Sequence, residues 1–113
     1  MTEIGACAFR FCQSLTEILF PEGLTELGPQ AFAHCKALTA IDLPESVSHV
    51  SYLAFGDCQA LTSAAVLNPE AAIGDGDLDV FIGCPAGLVL RGHGGSTLEA
   101  YAAAAGLAFE ALD

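Results

Sequence analysis

The sequence predicts a stacked-repeat solenoid, and three observations carry that prediction. The first is self-similarity: AFRFCQSLTEILFP at residues 8–21 returns 23 residues later as AFAHCKALTAIDLP (31–44), and again as AFGDCQALTSAAV (54–66). A weaker fourth copy, FIGCPAGLVL, starts at Phe81. A fixed period of about 20–50 residues is the mark of units that stack on one another. The second is cysteine spacing, since Cys12, Cys35 and Cys58 lie 23 apart and Cys84 follows 26 later. The third is composition: 53% hydrophobic and 15% charged residues leave enough apolar matter for a core and exclude a disordered chain.

Each repeat opens on a small apolar pair: Ile4-Gly5, Leu27-Gly28, Val50-Ser51 or Ile73-Gly74. Five residues on comes Phe9, Phe32 or Phe55, each preceded by alanine, and three residues further a cysteine. Phe and Cys at i and i+3 predict one helical turn on the outer side with both side chains inward. Leu15, Leu38 or Leu61 followed by threonine then starts a short strand, closed in the first two repeats by Pro21 and Pro44, which lack a ladder N–H. Leu15, Ile18 and Phe20 point inward, as do Leu38, Ile41 and Leu43. The outward set is Glu17 and Leu19, Ala40 and Asp42, Ser63 and Ala65, and Val89 and Arg91. Leu24 and Val47 return the chain to the next repeat. A single unit buries too little to fold alone, so stability must come from stacking.

The third-to-fourth step is three residues longer, and the excess falls in residues 74–80, GDGDLDV, expected as an outer-edge loop. Beyond the turn Gly92-His93-Gly94-Gly95, Ser96 and Glu99 have capping-box spacing. Leu98, Tyr101, Ala102 and Ala105 form a helical stripe. Gly106 is the expected C-terminal cap and residues 107–112 a last strand. This predicts one domain over 1–113, with repeats at about 4–26, 27–49, 50–72 and 73–92 and a C-terminal cap at 93–113. An amphipathic helix after a stack closes the core that the last repeat would leave open.

Charge excludes partner classes. Arg10, Lys36 and Arg91 stand against 14 acidic residues, for a net charge of −11. Phosphate neutralisation is therefore out of reach, which argues against nucleic acid and against anionic membrane surfaces. No apolar run reaches the roughly 18 residues of a membrane span. Residues 1–3 lead straight into a repeat without signal-peptide regions, consistent with a cytosolic protein or with a mature domain cut from a longer chain.

The ladder cysteines read as small buried apolar groups. Disulfides along the stack and a zinc site are the alternatives, the latter without support from the spacing of His34, His49 and His93. Cys7 stands off the ladder as the accessible thiol. No nucleophile elbow, phosphate loop or dinucleotide fingerprint is present, and Asn68-Pro69 starts no glycosylation sequon. No catalytic residue and no cofactor is expected. Asp75, Asp77 and Asp79 alternate in a Gly-rich loop as calcium ligands can, but Val80 and Ala86 stand where an EF-hand requires Gly and Glu.

The pattern I-G-x-x-A-F-x-x-C-x-x-L-T-x-I-x-x-P resembles the BspA-like leucine-rich-repeat proteins of bacterial surfaces. The match is close over residues 27–44 and good over 4–21 and 50–66. The tail, Gly94-Gly95-Ser96, then Ala100-Tyr101-Ala102 and Gly106-Leu107-Ala108-Phe109, is similar to that family's closing segment. The resemblance implies a right-handed leucine-rich-repeat solenoid with a parallel concave sheet. It also implies a secreted or surface-displayed, non-catalytic binder of protein or host-surface ligands.

The sheet face is the expected binding surface. Four strands of six residues make roughly 400 Å², about half of the roughly 800 Å² a standard interface needs per partner. The chain is therefore expected to be the C-terminal end of a longer array. A structural capping role, or self-association through the uncapped N-terminal repeat, is the alternative.

Overall fold

Two short parallel sheets run along the stack where the sequence led us to expect one. The computed structural model describes residues 2–74 and 79–112. The first sheet joins β1 (Thr2–Ile4), β2 (Leu24–Leu27), β4 (His49–Val50) and β6 (Ala72–Ile73), in that order. The second joins β3 (Ala40–Leu43), β5 (Ser63–Val66), β7 (Val89–Gly92) and β8 (Ala108–Ala111), with helix α1 (Thr97–Ala105) between β7 and β8 in the chain. All pairings are parallel. The architecture is the expected leucine-rich-repeat solenoid, in which neighbouring strands come from successive coils.

The segments we expected only to return the chain form the first sheet. Leu24 and Leu27 are fully buried, and parallel pairing satisfies the backbone between them. Conversely, residues 15–20 form no regular strand. The Thr39 N–H and hydroxyl both donate to the Thr16 carbonyl, at 3.1 and 3.3 Å, so the second coil still ties to the first. Among the described residues no segment pairs with residues 15–20 on their other side.

The outer side also departs from expectation. Instead of one helical turn, each coil makes consecutive i→i+3 turns, such as Arg10 N–H to Cys7 O and Cys12 N–H to Phe9 O, each 3.2 Å. Two residues per coil sit in the left-handed region: Cys7 and Phe11, Gln30 and His34, Leu53 and Asp57. A helix would aim its N–H groups along the chain. These reversals aim them along the stack, where Phe9 N–H meets Ala31 O at 2.7 Å and Phe32 N–H meets Ala54 O at 2.8 Å. Each left-handed residue costs on the order of 1–2 kcal/mol, and the added ladder of bonds offsets it.

The core is a set of side-chain ladders. Phe9, Phe32, Phe55 and Phe81 stack nearly parallel at centroid distances of 5.0, 5.4 and 5.7 Å. Beside them each cysteine donates to the phenylalanine carbonyl one coil back: Cys35 to Phe9 at 3.1 Å, Cys58 to Phe32 and Cys84 to Phe55 at 3.2 Å. Leu38, Ile41 and Leu43 are buried, as their spacing predicts, while Leu15, Ile18 and Phe20 in the first coil are half-buried.

α1 closes the far end. The Ser96 hydroxyl accepts from Glu99 N–H at 3.3 Å, and the Glu99 carboxylate accepts from Gly95 N–H at 2.7 Å. Gly106, at φ 75°, ends the helix in the left-handed conformation that glycine adopts without penalty. Leu98, Tyr101 and Ala102 are buried against the stack, with Ala105 packed at its margin.

Candidate functional site

The inward residues of the second sheet are committed to the core, so any binding chemistry on this side rests with the alternate, outward positions. Strand register places these in two rows. Ala40, Ser63, Val89 and Ala108 align in one, and Asp42, Ala65, Arg91 and Glu110 in the other. Glu17 and Leu19 precede Ala40 and Asp42 by one 23-residue period. Glu17, Ala40 and Asp42 are exposed, Leu19 is 96% exposed, and Ser63, Val89 and Arg91 are half-buried. Ala65 is only 5% exposed and offers a partner almost no surface.

Two members of the face were not evident from the sequence. β8 pairs with β7 and adds Ala108 and Glu110 to the rows. Residues 107–112 read as a strand, but no local signal says which strand they join. Across the new boundary Arg91 Nε meets Glu110 Oε1 at 3.2 Å, with both side chains partly open to solvent. This pair occupies the one cation on the face among the described residues, leaving Glu17 and Asp42 to set its sign. A cleft of about 370 Å³ lies at the corner between the sheets, lined by Glu22, Gly23, Pro44, Glu45, Ser46 and Leu67.

The outer turns carry a second exposed stripe. Phe11 stacks on His34 at 4.6 Å, the Arg10 guanidinium lies 4.7 Å from the Phe11 ring centre, and His34 Nδ1 stands 3.5 Å from Asp57 Oδ2. His34, read only as a failed zinc ligand, thus belongs to this aromatic stack.

The cysteines are free thiols, Cys35 and Cys58 buried and Cys7 exposed. Burial pushes the Cys58 thiol up to about 12 and the Cys84 thiol up to about 11, and it raises that of Cys35. Such thiols stay protonated and donate to the phenylalanine carbonyls, a structural duty. Among the described residues, no three His, Cys, Asp or Glu side chains converge as a metal-binding group. The calcium expectation for Asp75 and Asp77 lies outside the described residues.

Short parallel strands from successive coils, with ladders of Phe, Cys and Leu inside, define a leucine-rich-repeat protein. The family model for the BspA type leucine rich repeat region matches residues 1–84 in six copies, and the chain belongs to that family. No curated protein and no solved structure matches the chain.

Proposed function

We propose that the chain is a non-catalytic repeat module of a cell-surface or secreted protein that binds a protein or host-surface partner through the outward face of the second sheet. The observation that carries this reading is the pair of outward rows, most of whose side chains, Ala65 excepted, keep exposed surface outside the core. The inward residues of the same strands are nearly all fully buried. The rows end in an isolated exposed leucine, Leu19, beside the acids Glu17 and Asp42. An apolar anchor within a polar rim is the usual composition of a protein-binding patch. Four strands of four residues cover roughly 250 Å², so the chain supplies part of a face that further coils would complete.

The test is affinity capture from host-surface protein extracts by the intact chain and by Leu19→Asp and Asp42→Lys variants, with Tyr52→Ala on the outer side as control. Retention of a captured protein should fall at least about tenfold in the two face variants and hold in the control. Equal loss in the control, or no loss in the face variants, refutes the assignment. A structural role at the end of an array is the second reading, favoured by the half-exposed core of the first coil.

A further inference from the structure

The cleft at the corner between the sheets belongs to neither sheet face. Successive coils build it: Glu22 and Gly23 come from the first, Pro44, Glu45 and Ser46 from the second, and Leu67 from the third. Bonds between coils fix its frame. Gly23 N–H donates to Ser46 Oγ at 3.2 Å, and that hydroxyl donates to the Leu24 carbonyl at 2.6 Å. The Asn68 side-chain amide donates to the Val47 carbonyl at 3.0 Å. The cleft is therefore in shape before anything enters it, which spares a ligand the cost of ordering the site. Its lining is apolar at Pro44 and Leu67, both half-buried, and the Ser46 hydroxyl is spent within the fold.

The two carboxylates are not spent. Glu22 and Glu45 are exposed and stand one period apart on adjoining coils, where the Phe9–Phe32 ring spacing is 5.0 Å. Among the described residues no ion pair reaches either acid. The cations of the chain lie elsewhere: Arg10 over the Phe11 ring, Lys36 in the outer turn of the second coil and Arg91 against Glu110. Like charges facing each other on neighbouring segments repel, and among the described residues nothing offsets this pair.

We propose that the corner cleft receives an arginine side chain from a basic segment of a partner protein. The apolar stem lies along Pro44 and Leu67, and the guanidinium sits between Glu22 and Glu45. Its planar fork of N–H donors serves both acids at once, which the compact ammonium of lysine does not. A coordinated metal ion fits poorly, because among the described residues no third His, Cys, Asp or Glu joins the two acids. The net charge of −11 draws basic partners from a distance, while the cleft selects the group that is seated. The site stands apart from the outward rows of the second sheet and does not rest on their assignment.

The experiment titrates the intact chain with the blocked peptide Gly-Ser-Arg-Ser-Gly and follows its amides by NMR at low ionic strength. The amides of Gly23, Glu45 and Ser46 should shift along one saturating curve while those of α1 hold still. Glu22→Gln and Glu45→Gln should each weaken binding about threefold, and the two together about tenfold. Glu3→Gln, which removes the same charge outside the cleft, should weaken it by less than about twofold. With citrulline in place of the arginine the curve should vanish, and with lysine binding should weaken at least about threefold. Glu22 and Glu45 are exposed, so their substitution should leave Tm unchanged. The proposal is overturned if Glu3→Gln weakens binding as much as Glu45→Gln, as diffuse attraction to the net charge would. It is overturned equally if the citrulline or lysine peptide binds as tightly as the arginine peptide, or if the shifts fall outside the cleft. No residue of the sheet face enters the readout, so failure here and failure of the face assignment are distinguishable.

Discussion

At the C-terminal end of the stack, Tyr101 meets Phe81 edge-on at 6.1 Å and its hydroxyl accepts from Val80 N–H at 3.1 Å. At the N-terminal end Phe9 has Phe32 on one face and, among the described residues, no ring on the other. Among the described residues, the same ladder therefore ends on an edge-on ring on one side and on a parallel ring on the other. An edge-on ring with a polar tip stops a stack because it presents no parallel face for the next ring and spends its hydroxyl on the last coil. A parallel ring stops nothing. In a repeat protein the difference between a cap and a coil can thus rest on the orientation of one aromatic side chain.

The largest expected effect that tests this contrast comes from paired truncations. Phe55 is fully buried between Phe32 and Phe81, so Phe55→Ala should cost about 3–5 kcal/mol. Phe9→Ala, at the half-open end, should cost about 1–2 kcal/mol. Urea unfolding of both variants checks the ratio, and equal costs would mean that the first coil is as well supported as the third.

Alkaline pH should weaken the interior of the stack. Burial raises Cys58 from 9.0 to about 12. Below pH 9 the thiol is protonated in both folded and unfolded chains and its donated bond is fully present. As pH rises through 9 the unfolded chain loses the proton first, so stability falls progressively until pH passes about 12. The loss is on the order of 1 kcal/mol by one pH unit above 9. Melting curves from pH 8 to 10.5 should show this decline, and Cys58→Ala should flatten it in part.

A smaller effect is expected at the cap. Ser96→Ala removes the acceptor for Glu99 N–H and should cost about 1 kcal/mol. Hydrogen exchange should then quicken first in α1, while the first sheet keeps its protection.

What the sequence disclosed follows from what stacking demands of each residue. Phe32 and Cys35 were legible because each must match its neighbour one coil away, which writes the packing into the sequence as a period. Ser96, Glu99 and Gly106 were legible because capping is local chemistry. The first sheet was not, since His49-Val50 and Ala72-Ile73 are too short for alternation to be counted. Nor were the left-handed positions: Cys7, Gln30 and Leu53 carry no glycine signature, and only the ladder of coil-to-coil bonds holds them there. The outward rows could be named from alternation alone. The near-complete burial of Ala65 and the arrival of Glu110 beside Arg91 depend on contacts between segments far apart in the chain.

The ties from threonine, cysteine and backbone run between neighbouring coils, and this has a mechanical consequence. Pulled from its ends along the stack, the chain would be loaded across its ladders and not along them, so bonds would part a few at a time. Coils would peel away singly. Each would release a period of 23 residues, roughly 80 Å of contour length. Under tension such a molecule behaves as a tether that lengthens in steps, with the Tyr101 ring and hydroxyl holding the last coil.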